Sequence, residues 1–175
     1  MPEKKDQILF AIRRIKELSF TLNEQMFQPS PVDKEIKIEF QYNIAFNSKS
    51  NLVVFTLRTV YLYPEFVSAN NFLCDIHVQN IFEVPNLAAY FINNEFILPK
   101  ELIISIVSLS ISHSRALFCK NIDGTIFQEN IIPIINPVEI SASFFPSIFR
   151  NTEAGSKSQE TSNKGGMPKK FIKQK

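Results

Sequence analysis

The chain has 175 residues, the size of one ordinary domain, and 45% of them are hydrophobic against 21% charged. That balance can build a core and excludes a wholly disordered chain, and a net charge of +2 gives no basis for nucleic-acid binding. Only 4 glycines stand beside 10 prolines and 17 phenylalanines, few for the loops that bring backbone close to phosphates and cofactors.

The chain opens MPEKKDQ and continues ILFAIRRIKEL, where Arg13, Arg14 and Lys16 break the apolar run, so no signal peptide is read there. Residues 6–14 fit either a short amphipathic helix or an extended lead-in. Over residues 15–22, Leu18, Phe20 and Leu22 alternate with Glu17, Ser19 and Thr21, which predicts a strand. Residues 35–46 carry the clearest pattern. Ile36, Ile38, Phe40, Tyr42, Ile44 and Phe46 alternate with polar residues and Ala45, giving a strand with one apolar and one wet face. Residues 47–51 read as a hairpin turn. The next strand, 52–63, is apolar on both faces apart from Thr56, Arg58 and Thr59, so it belongs in the middle of a sheet or under cover on both sides. A fourth strand over 71–84 puts Phe72, Cys74, Ile76, Val78 and Phe82 on one face and Asp75, His77, Gln79 and Glu83 on the other. Four strands joined by short turns argue for an antiparallel meander or a close relative.

Helical spacing follows. Pro85-Asn86 opens a short helix over 87–95, and Pro99 stands in the first turn of a longer one over 100–119. Leu102, Ile106, Leu109, His113 and Leu117 form one stripe on it; Ile103, Val107, Ile111 and Phe118 form another. So wide an apolar sector calls for two partners, the sheet and a second copy of the chain. Residues 121–124 end this helix. Residues 126–140, with Pro133 and Pro137, read as an irregular covering segment. Residues 141–150, with Phe144, Phe145, Ile148 and Phe149 around Pro146, are a broken helix or an exposed aromatic tether. The pattern is α+β: a four-stranded antiparallel sheet packed against a long and a short helix, one domain over 1–150. From Asn151 the composition turns to Ser, Thr, Gln, Lys and Gly, a disordered basic tail over 151–175. Its lysines read first as solubilising, with an acidic partner, a membrane surface or RNA as alternatives. No run approaches ~20 uninterrupted apolar residues, so no membrane span is expected.

Candidate chemistry is sparse. There are only 2 histidines. His77 sits on a polar strand face, and His113 sits among aliphatic neighbours as a satisfied core or interface residue. Cys74 and Cys119 are too far apart for a disulfide framework and read as small buried hydrophobes. Cys74 and His77, three apart on a strand, point to opposite faces and cannot share a metal ion. No nucleophile elbow, P-loop or dinucleotide fingerprint is present. The expectation is therefore no enzyme, no metal and no cofactor. Reduced thiols and the absence of an export signal place the chain in the cytoplasm.

Four segments carry a family resemblance. Phe72-Leu73-Cys74-Asp75-Ile76, then four residues, then Ile81-Phe82-Glu83-Val84 resembles the F-L-C-D/E-V/I … I-F-x-V/I strand of the SecB-like chaperone family. Glu17-Leu18-Ser19-Phe20 resembles that family's D-I-S-F. Glu35-Ile36-Lys37-Ile38-Glu39-Phe40 resembles its E-V-K-L-D-L. Gly124-Thr125, Phe127, Asn130-Ile131 and Ile134-Ile135-Asn136 resemble its G-T-F-P-Q-L-N-L-A-P-V-N loop. The pieces fall in order across residues 15–140. The resemblance implies a four-stranded sheet backed by helices and assembled into dimers or tetramers. It further implies unfolded client proteins bound at Ile36, Ile38, Phe40, Phe127, Ile131 and Ile132, and docking of the SecA ATPase at Glu17 and Asp75 on the outer sheet face. The run from Pro99 to Gly124 exceeds the family's helix by roughly three turns at ~3.6 residues each; if Ser114-Arg115 matches the family's S-R-G, the excess falls after the helix. The family's final helix is interrupted here by Pro137 and Pro146, and a pI near 8.5 departs from its acidic members. The function this implies is ATP-independent holding of unfolded chains, in export or as a solitary chaperone. The alternatives are a chaperone dedicated to one antitoxin-type client and a carrier of a small hydrophobic ligand.

Overall fold

A computed structural model describes residues 9–26, 36–63 and 72–150. The tail expected over 151–175 lies outside the described residues. Four long strands form one antiparallel sheet: β1 (Ala11–Leu22), β2 (Lys37–Asn47), β3 (Leu52–Leu62) and β4 (Cys74–Glu83). Their order is β1-β4-β3-β2. Strands β2, β3 and β4 make a meander, but β1 pairs along the far side of β4 instead of beside β2. The doubly apolar β3 therefore takes a central place. Strand β1, with Arg13, Arg14 and Lys16, takes an edge, where charge blunts unwanted pairing.

Strand β1 begins at Ala11, so residues 11–14 are strand and not helix. Its register against β4 shifts between Ile12 and Arg14 and again between Glu17 and Ser19. Each shift moves the side chains beyond it to the other face.

One sheet face, here called inner, carries Val53, Phe55, Leu57 and Tyr61 of β3 opposite Phe82, Asn80, Val78 and Cys74 of β4. Across it lies α1 (Lys100–Ile122), burying Leu102, Ile103, Ile106, Val107, Ser110, Ile111, Ser114, Phe118 and Ile122. The Pro99 carbonyl accepts the first helical bond from the Ile103 amide at 3.1 Å. The helix runs unbroken through Ser114-Arg115 as far as Ile122. It is long and apolar enough to cross a membrane by length and composition; here it packs as the core helix of the sheet.

A further partner of α1 comes from the same chain. Helix α2 (Pro137–Phe144) packs against it and leads into α3 (Pro146–Arg150). Both prolines open a helix where the sequence suggested a break, because a first-turn residue has no amide to lose. The Asn136 side chain caps α2, accepting from the Val138 amide at 3.0 Å.

The short helix expected over 87–95 is instead one 3₁₀ turn, Leu87–Tyr90, followed by a hairpin of β5 (Phe91–Ile92) and β6 (Glu95–Phe96). Asn93 and Asn94 turn it with φ of 51° and 66°, a pair of left-handed residues that matches the twist of two short strands.

Candidate functional site

The alternation along β2 sends Ile36, Ile38, Phe40, Tyr42, Ile44 and Phe46 to the inner face, because Ile38 pairs with Tyr61, Phe40 with Thr59, Tyr42 with Leu57, Ile44 with Phe55 and Phe46 with Val53. Helix α1 packs on β3 and β4. The apolar row on β2 therefore lies beyond the helix and stays half-buried, with Tyr42 exposed. Strand β2 is also a sheet edge, so one side of its backbone has no strand neighbour among the described residues.

The stretch after α1 frames this row. Phe127 is fully buried, standing edge-on to Tyr61 and Phe118. Ile132 is 1% exposed. Arg115 of α1 pins the stretch, donating from Nε to the Ile132 carbonyl at 2.9 Å and from Nη2 to the Pro133 carbonyl at 2.5 Å. Between and beyond these anchors the side chains turn outward: Ile131 is 54% exposed and Ile134 93%. Ile126 and Val138 are exposed as well. A tethered backbone thus leaves Ile131 and Ile134 exposed next to Ile132 and Ile135, which join the cluster of Ile36, Ile38 and Phe40.

Of the six residues read as client-binding, Ile36, Ile38 and Phe40 share one apolar cluster with Phe127, Ile132 and Ile135. Ile131, next to Ile132 in sequence, is exposed. Phe127 and Ile132 are closed within the core, so the set divides into core residues and accessible ones. Sequence reading passed over Tyr42, which continues the same face, and Ile134, whose irregular, proline-flanked segment offers no periodicity to show which way it points.

The two acidic docking positions do not share a face. The register shift after Glu17 places it opposite Val78 on the inner side, where its Oε2 accepts from Asn121 Nδ2 at 2.7 Å. Asp75 faces outward and is held by Arg58, which donates from Nη2 at 2.7 Å and from Nε to both carboxylate oxygens at 3.1 Å. These bonds raise the Arg58 pKa above its already high ordinary value. Nη1 of Arg58 donates to Gln41 Oε1 at 3.1 Å, and His77 Nε2 lies 3.3 Å from Asp75 Oδ1.

The other titratable groups sit in structural roles. Cys74 faces inward and His77 outward, as their spacing requires. Both cysteines are free thiols. Burial, with the charge of Asp75 next to it, pushes the Cys74 thiol up to about 12, which leaves no thiolate nucleophile at neutral pH. His113 Nδ1 lies 2.7 Å from Oδ1 of the buried Asn80, and desolvation lowers its pKa. Among the described residues, no three or more His, Cys, Asp or Glu side chains gather in a way that could hold a metal ion.

Fold and face together define an α+β protein in which one long helix backs an antiparallel sheet and an apolar edge strand stays partly uncovered. No family model and no curated protein matches the chain. Among solved structures it is similar to the SecB-like chaperone of Mycobacterium tuberculosis in complex with a ChAD peptide from the HigA1 antitoxin, with 11% identity over 72% of this chain and 90% of that one, at a TM-score of 0.48.

Proposed function

We propose that the chain is an ATP-independent holding chaperone. It binds unfolded or preprotein segments on the inner face of β2 and on the aliphatic row of residues 126–138, and it has no catalytic role. The observation that carries this reading is the unfinished cover of β2: an alternating apolar face, half-buried, on a strand with no neighbour on one side among the described residues, clustered with Phe127, Ile132 and Ile135 of a stretch whose Ile131 and Ile134 are 54% and 93% exposed. Contiguous apolar surface of this kind marks a binding site or an interface between copies. The motif resemblance of residues 15–140 agrees with the holding reading.

Each large apolar side chain of a client that is fully buried there contributes about 2 kcal/mol. Firm holding therefore takes several such contacts at once, and the same face repeated in a homo-oligomer supplies them by avidity. The edge of β2 that has no strand neighbour among the described residues adds backbone hydrogen bonds that ignore client sequence. Binding the unfolded state draws clients away from folding by mass action, with no nucleotide needed. Two free thiols suit a reducing compartment, and a cytoplasmic holding role is in keeping with that chemistry.

Light scattering on the purified protein, with and without permanently unfolded carboxymethylated α-lactalbumin, tests the reading. A dimer or tetramer whose mass rises by that of the client supports it. A monomer whose mass is unchanged rejects it. Uptake of one partner alone, such as an antitoxin-type protein, would make it a dedicated chaperone instead.

A further inference from the structure

The middle of the β2 face is already occupied by the chain itself. The Tyr42 ring stacks on Phe144 at 4.4 Å between centroids and touches Phe145 at 4.9 Å. Its hydroxyl donates to the Phe144 carbonyl. Phe144, Phe145, Ile148 and Phe149 are half-buried against the same core cluster as Phe40, Ile44 and Phe46. The segment that provides them consists of two short helices. Helices α2 and α3 have 8 and 5 residues, well short of the ~12 that an isolated helix needs. Within α2, Ser141 is fully buried, and its hydroxyl finds no partner among the described residues, which weakens the packing of the helix. At its far end the segment is tied to α1 by Lys100, whose ammonium lies 4.7 Å from the centre of the Phe149 ring.

We propose that residues 137–150 form an internal stand-in for the client. They occupy the β2 face around Tyr42 and are displaced when an unfolded segment with neighbouring aromatic and aliphatic side chains binds. This rests on the holding function proposed above and adds two things to it. The kind of segment the face prefers is set by its own occupant, two adjacent aromatics followed within one turn by another apolar pair. Displacement of the strap sets the threshold for binding, so weakly apolar chains are refused. The hydroxyl of Tyr42 serves the closed state, and its ring serves both states.

The test is hydrogen exchange on the full chain, read by mass spectrometry with and without carboxymethylated α-lactalbumin, together with affinities of two variants. Tyr42→Phe keeps the aromatic face and removes only the bond to Phe144. Phe149→Ser loosens the far end of the strap without altering β2. The expected result is faster exchange in 137–150 when client binds, and binding roughly three- to tenfold tighter in each variant, the range of one lost hydrogen bond or contact. If only the variants take up client, the strap is upheld in its strongest form. If the wild type binds client while exchange in 137–150 and both affinities stay unchanged, the strap is refuted and the holding function stands. If no form binds client, the holding function fails and the strap falls with it.

Discussion

The Phe127 ring stands edge-on to Tyr61, at 82° and 5.5 Å between centroids, while Tyr61 itself lies stacked on Phe118 at 4.8 Å. This three-ring knot closes the end of the core beneath β3 and fixes where the following stretch begins. Phe127→Ala should cost about 3 kcal/mol of stability, the usual loss for a large ring removed from a core, measured by urea unfolding. Ile131→Ser and Ile134→Ser, a few residues on, should change stability by less than about 0.5 kcal/mol. They should instead weaken client binding roughly fivefold or more each, because each removes an aliphatic side chain that a bound segment would cover.

On the outer face, Arg58 grips Asp75 through three short contacts while Asp75 is nearly buried. Arg58→Met should cost about 2 kcal/mol, because it leaves a desolvated carboxylate without its donor. A further Asp75→Leu change should restore most of that loss. If the pair instead serves a docking partner and little else, the single variant would unfold at the wild-type urea concentration.

Desolvation lowers the His113 pKa below its ordinary value of 6.5. In the unfolded chain the imidazole takes up its proton near that ordinary pH; in the folded protein it does so only at lower pH. Between the two the unfolded state binds more protons, so this contribution to stability is complete above the ordinary value and is lost as pH falls below it. The thermal midpoint should fall between pH 7.5 and pH 5, and His113→Gln should flatten that dependence. An equal slope in the variant would assign the effect to other groups.

The two thiols should separate under a maleimide. Cys119 is half-buried, whereas Cys74 is closed off and held protonated with its pKa pushed up to about 12. Mass spectrometry at neutral pH should show one label per native chain, on Cys119, with Cys74 labelled only in denaturant. Fast double labelling would mean that the end of the core opens readily.

Where the sequence pattern was regular, it located the elements well. The period of two in β2 and the doubly apolar β3 assigned both strands and their faces, and the stripes of α1 found the helix to within one turn. What stayed hidden has physical causes. The register shift after Glu17 turns that carboxylate inward, and no local pattern announces an extra residue in a strand. The place of β1 beside β4 is a non-local pairing that turn residues cannot encode. Asn93-Asn94 was a readable signal, since two asparagines suit a left-handed hairpin turn, but the apolar residues around it suggested a helix. In the sequence, Pro137 and Pro146 suggest breaks because proline both starts and stops helices; at Pro137 the cap at Asn136 distinguishes the two.

The central claim is that unfolded chains bind on the inner side, along β2 and the 126–138 row. A photo-crosslinking amino acid placed at Ile134, and separately at Lys16 on the exposed outer side of β1, tests it directly with carboxymethylated α-lactalbumin as client. The account predicts abundant crosslinks from position 134, lost on competition with unlabelled client, and few from position 16. Equal yields from both positions, or a higher yield from position 16, would contradict it.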